Sequence, residues 1–134
     1  MKNIAASYRN ISKYEEAYDY YNQCDSYFQK ALPIEDYIIQ SIFYRNSAHY
    51  SGNHNECIRI NESLLELIKQ KKPAVKETIL EIYNDLALDY NRHIKDYEKA
   101  LFSNQQEQKL IVDIYGKTSV QYCENLLEKG SIYF

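Results

Sequence analysis

Apolar residues recur at helical spacing from the start of the chain. Ile4, Ala5, Tyr8 and Ile11 share one helix face, and after an interruption near Ser12 a second stripe runs through Tyr14, Ala17, Tyr21, Cys24, Phe28, Ala31 and Leu32. Ser12 followed three residues later by Glu15 has the form of a capping box, which predicts that the second helix begins there. So short a connection makes the two helices antiparallel neighbours. Pro33 closes the pair, because it cannot donate to the preceding turn and it pushes Leu32 out of the helical region.

The pattern then starts again. A helix through Ile38, Ile39, Ile42, Phe43 and Tyr44 reaches Ser51-Gly52, and Asn53 with Glu56 marks a capped start for a helix through Cys57, Ile60, Leu64, Leu65 and Ile68. Lys71-Lys72-Pro73 closes this second hairpin. The third runs through Ile79, Tyr83, Leu86, Ala87 and Tyr90, turns between His93 and Asp96, and continues through Tyr97, Ala100 and Leu101 towards Ile111 and Ile114. Tyr115-Gly116 supplies a stop, and Thr118 with Gln121 is read as the cap of a last helix carrying Cys123, Leu126, Leu127 and Tyr133. The expectation is an all-α chain of about seven helices, with hairpins over 1–33, 34–73 and 74–115 and an unpaired helix in 116–134.

The hairpins share a register. Aligned on their second helices, the small residues Ala17, Cys57 and Ala100 stand 40 and 43 residues apart. Ile4-Ala5 with Tyr8, then Tyr14-Glu15-Glu16-Ala17, Tyr21 and Cys24, resemble the tetratricopeptide repeat. Tyr83, Leu86-Ala87, Tyr90 and Asp96-Tyr97-Glu98-Lys99-Ala100 repeat the pattern with one extra residue in the turn. The second hairpin has Gly52-Asn53 at the turn and Cys57 at the small position, but Arg45 where Ala or Gly is usual. The likeness is to the lengthened, kinesin-light-chain-like form rather than the minimal repeat of about 34 residues. It implies an α-solenoid in which small residues sit where paired helices cross and aromatics fill the wider gaps.

Composition supports long helices: 134 residues carry only 3 Gly and 2 Pro, too few for the tight turns of a sandwich or barrel. The 15 Tyr suit thin layers, where a ring packs inward while its hydroxyl reaches a polar partner. A net charge of −3, dispersed along the chain, gives no reason to expect a nucleic-acid or anionic-membrane partner. No apolar run is long enough to span a bilayer, and Met1-Lys2-Asn3-Ile4 does not open a signal peptide, so a cytoplasmic location is expected. Both ends fall inside expected helices, so the sequence reads as a segment of a longer protein, the alternative being raw ends that self-associate.

No catalytic constellation stands out. Gly116-Lys117-Thr118 matches the end of a phosphate-binding loop, yet Ile111 stands where the motif needs another glycine. His54 and Cys57 are one turn apart, which is half a metal site at most. Cys24, Cys57 and Cys123 have neither disulfide nor zinc spacing and are expected on apolar faces. Glu15, Glu16, Glu35, Asp36, Asp85 and Asp89 fall on faces that read mainly as solvated, with no pair set apart. The polar run Ser103 to Gln108 interrupts the apolar face of its helix and is read either as lying against a missing partner or as loosely packed. The expectation is a chain without enzymatic activity, cofactor or metal.

The resemblance implies where binding occurs. First helices of such hairpins line a concave side, which selects Lys2, Ala6, Arg9 and Asn10; Ile39, Ile42, Phe43, Asn46, His49 and Tyr50; and Glu81, Asn84, Asp85, Leu88, Asn91 and Arg92. Family members that grip acidic chaperone tails carry Lys and Asn, then Asn, then Lys and Arg, at positions that here hold Lys2, Ala6, Phe43, Glu81 and Asp85. Only the first agrees and two are acidic, so an acidic tail is not the expected ligand. The expected role is a scaffold module for a protein or peptide partner. The alternative is a regulatory segment that senses a peptide or its own effector domain.

Overall fold

The computed structural model describes residues 11–71 and 75–133, of which Ile11 and Ser12 are described as backbone only. Six α-helices follow one another: α1 (Ile11–Ala31), α2 (Ile34–Tyr50), α3 (His54–Lys71), α4 (Lys76–Asp89), α5 (Tyr97–Ile114) and α6 (Val120–Tyr133). A π-helical turn, Tyr90–Ile94, extends α4. There is no strand among the described residues. The seventh helix, expected over Ile4 to Ile11, falls almost entirely outside them. The chain divides into two compact units, Met1–Ile60 and Asn61–Phe134, with α3 passing from one to the other.

In the first unit α1 packs on α2. Tyr44, Ala48, Cys57 and Ile60 form a buried cluster against which Tyr18 and Tyr21 pack. The Tyr18 and Tyr21 rings lie 5.4 and 6.3 Å from that of Tyr44. The hydroxyls finish what the rings begin: Tyr44 donates to Asn22 Oδ1 at 2.6 Å, Tyr37 to Asp25 Oδ1 at 2.8 Å and Tyr18 to Glu56 Oε1 at 2.6 Å. Each links two helices, so tyrosine supplies apolar burial and a directional bond at the same joint. The small residue at the heart of this cluster is Ala48, fully buried, three residues on from Arg45.

In the second unit α4 packs on α5, and α5 on α6. Ile82, Ala87 and Ala100 are completely enclosed, and Leu64, Ile68, Ile79, Tyr83, Leu86, Ile111 and Ile132 are buried in the same unit. Enclosing an isoleucine such as Ile82 contributes about 1.5–3 kcal/mol. Lys69 Nζ donates to Tyr83 Oη at 2.6 Å, and Tyr90 Oη donates to Glu62 Oε2 at 2.5 Å, tying the second half of α3 to α4 and its π turn.

The helix ends show how the turns are encoded. Past α2, Gly52 adopts φ 82°, and Gly52 and Asn53 donate to His49 O and Ala48 O, the paired bonds of a Schellman motif. Asn53 then caps α3, its Oδ1 accepting from Glu56 N at 3.3 Å. The extra residue of the third hairpin is absorbed by the π turn and by Lys95, which takes a left-handed φ of 63° while Asp96 N donates to Tyr90 O. Asp96 caps α5 through Lys99 N, and Gly116, at φ 87°, ends it. Two expected caps are corrected. Ile11 and Ser12 are already helical, so Ser12 does not cap α1. α6 is capped by Ser119, whose Oγ accepts from Tyr122 N at 3.1 Å, because its position three residues ahead of that amide suits the bond, whereas Thr118 stands one residue too early.

Candidate functional site

The candidate residues of the first unit lie on α2. Ile39, Phe43 and Tyr50 are 50, 49 and 57 % exposed, and with Asn46 they follow spacings of four, three and four residues, which is one helical stripe. Ile42 is half-buried, and Asn46, also half-buried, accepts from Arg45 Nη2 at 3.1 Å. The Tyr50 ring rests 5.2 Å from Tyr14 and 5.1 Å from His49, whose ring also meets His54 at 5.7 Å. Tyr50 is therefore held in place while more than half of it faces water. Lys2 and Arg9, with Ala6 and Asn10, lie outside the described residues.

The candidates of the second unit lie on α4 and the π turn, and several are already engaged. Asn84 Nδ2 donates to Glu107 Oε2 at 2.8 Å. Asn91 Nδ2 donates to Glu128 Oε2 at 3.2 Å and to Ser131 Oγ at 3.1 Å, and Arg92 Nη2 reaches Glu128 Oε1 at 3.4 Å. Asp85 and Leu88 are half-buried, and Glu81 is exposed. The expected row of solvated groove side chains is thus partly a set of struts that hold α5 and α6 against α4.

The centre of that arrangement is one the sequence reading passed over. Glu107 is only 6 % exposed, and its Oε1 accepts from Asn125 Nδ2 at 3.2 Å. Asn104 and Asn125 exchange bonds with each other's backbone: Asn104 Nδ2 donates to Asn125 O at 3.2 Å and Asn125 Nδ2 to Asn104 O at 3.1 Å. Ser103, Asn104 and Glu107 of the polar run are therefore buried, the last two bonded to α6, so these positions neither await a missing partner nor pack loosely, while Gln105 is exposed. A signal for this exists in the sequence. Ala100, Ser103, Asn104, Glu107 and Ile111 fall on one helical face, so the run continues the core stripe with polar residues.

Charges behave accordingly. Burial pushes the Glu107 carboxyl above the ordinary glutamate range, opposed by the amides of Asn84 and Asn125 and reinforced by the acidic neighbours Glu128 and Asp85. Glu56 goes the other way, lowered chiefly by the Tyr18 hydroxyl and then by Arg59. The Tyr37 hydroxyl is pushed up to about 12, first by burial. Asp89, expected on a solvated face, is buried, and His93 Nε2 stands 3.9 Å from its carboxylate. Of the cysteines only Cys57 is buried; Cys24 and Cys123, expected on apolar faces, are exposed.

No helix among the described residues is long and apolar enough to cross a membrane. In comparisons with known proteins, no family model, curated protein or solved structure matches the chain.

Proposed function

We propose that this chain is a non-catalytic, tetratricopeptide-like module that binds a protein or peptide through the exposed faces of its helices. The observation that carries the reading is the α2 stripe. Ile39, Phe43 and Tyr50 remain about half exposed in a helix whose other positions, Tyr37, Ile38, Ser41, Tyr44 and Ala48, are buried. Apolar side chains at helical spacing beside amide and imidazole groups suit an extended or helical peptide, with apolar anchors for affinity and Asn46 or His49 for orientation. The tetratricopeptide likeness rests on the recurring Tyr-x-x-Ala pattern and is supported by helical hairpins with small residues in their cores. Four carboxylates act as struts: Glu56, Glu62 and Asp25 receive tyrosine hydroxyls and Glu107 receives amides, which accords with a binding role.

The test is affinity capture with the full chain and with an Ile39→Ala, Phe43→Ala double variant. Both side chains are half exposed, so helicity by circular dichroism is expected to be unchanged. Partner recovery is expected to fall at least about tenfold, the size of effect a buried aromatic anchor gives at an interface. Equal recovery of every partner would remove α2 from the binding face.

A further inference from the structure

We propose that α1 carries a self-complementary face through which two copies of this chain pair antiparallel, with Cys24 at the twofold axis. The inference concerns a different surface from the α2 stripe and stands whether or not that stripe binds a peptide.

α1 has two rows at heptad spacing. Tyr14, Tyr18, Tyr21 and Asp25 form the row turned to α2, where they meet Tyr50, Tyr44 and Tyr37. The other row, Ala17, Tyr20, Cys24, Tyr27 and Ala31, advances by three, four, three and four residues, the period of a seam between two helices. Tyr20 and Tyr27 are 61 and 70 % exposed, Cys24 and Ala31 are exposed, and Ala17 is half-buried. Two large rings alternate with three small side chains, so the rings of one helix fit the slots beside the small residues of another. The row also reads alike in both directions. A half-turn about Cys24 sets Ala17 against Ala31 of the second copy and Tyr20 beside its Tyr27.

Charge selects the orientation and the occupant. Glu16, Gln23 and Lys30, all exposed and seven residues apart, run along one edge of the row. Neither Glu16 nor Lys30 makes an ion pair among the described residues. In an antiparallel pair equal edges meet, so Glu16 of each copy stands opposite Lys30 of the other and Gln23 opposite Gln23. Within one chain the two charges are about 21 Å apart at 1.5 Å per residue, so only a second copy brings them together. The chain's own first ten residues are too short to cover the row: in helical form they reach about 15 Å, whereas Ala31 lies about 30 Å along α1 from Ile11. One helix face buries less than a permanent interface, so the pairing is weak and depends on concentration.

Sedimentation equilibrium of the reduced full chain, from micromolar to submillimolar concentration, tests the idea. A reversible monomer–dimer equilibrium is expected. Glu16→Lys and Lys30→Glu each turn two symmetry-related attractions into repulsions and are each expected to weaken the dimer about tenfold, while the chain carrying both exchanges should return to within about threefold of the original. Tyr27→Ser, at an exposed ring, should also weaken pairing and leave helicity by circular dichroism unchanged. In a Cys123→Ser background, mild oxidation of concentrated protein should join two copies through Cys24, whereas dilute reduced protein keeps Cys24 reactive. A monomer at every concentration would overturn the inference, whether Cys24 is then open to reagent or covered by residues 1–10. A dimer indifferent to the charge exchanges, or one that does not cross-link through Cys24, would overturn it as well. Each of these results leaves peptide binding by α2 to be judged on its own test.

Discussion

Two glutamates show how position rather than residue type sets chemistry. Glu56 receives the Tyr18 hydroxyl and Arg59, which favour its charged form; Glu107 is enclosed beside other acids, which disfavours it. Their linkage to stability has opposite sign. The lowered Glu56 stabilises its unit above the ordinary value of 4.5, and that contribution is lost as pH falls through its folded value. The raised Glu107 contributes stability below 4.5, lost as pH rises through its folded value. A carboxyl-detected NMR titration should therefore show Glu107 protonating at higher pH than Glu56. Amide exchange corrected for intrinsic rates should show α6 becoming more protected as pH falls through the raised folded value of Glu107. The reverse order would mean that burial does not dominate at Glu107. Neither behaviour is visible in sequence, because the Tyr18 hydroxyl reaches Glu56 from α1 and Glu107 acquires its amide partners from α4 and α6.

At the scale of elements, local signals fixed the ends of helices and tertiary partners fixed their faces. Gly52 needs its positive φ to close the Schellman turn, and although a Cβ there would meet no atom, the conformation itself is costly for other residues. Gly52→Ala is expected to lower stability by about 1–2 kcal/mol in urea denaturation. Asn125 presents the contrasting case: it stops no helix, yet it ties α5 to α6 through Asn104 O and Glu107. Asn125→Ala is expected to cost about 1–3 kcal/mol and to speed exchange along α6 more than along α4. A cost below a few tenths of a kcal/mol would make the amide exchange ornamental. The caps at Asn53 and Asp96 were legible as Asn or Asp ahead of an apolar run. The Ser119 cap was read one residue early, since Thr118 offers the same hydroxyl and only the backbone decides between them.

For the whole molecule, the helix pairs in contact, α1 on α2, α4 on α5 and α5 on α6, are sequence neighbours, so these contacts are local. Its three thiols report on that packing: Cys24 and Cys123 are exposed and Cys57 is 2 % exposed. An aromatic disulfide reagent should titrate two thiols at once and the third only on unfolding; prompt reaction of all three would contradict the buried cluster around Cys57. By itself the sequence determined the helical class and most turns, because these depend on periodicity, Gly, Pro and capping side chains within a few residues of one another. Only the tertiary structure decided that α2 leaves Ile39, Phe43 and Tyr50 uncovered, that Asn84, Asn91 and Arg92 brace neighbouring helices, and that Glu107 is buried among acids. Burial and pairing depend on which distant residues arrive at a face, and a polar side chain at helical spacing looks the same in sequence whether water or another helix meets it.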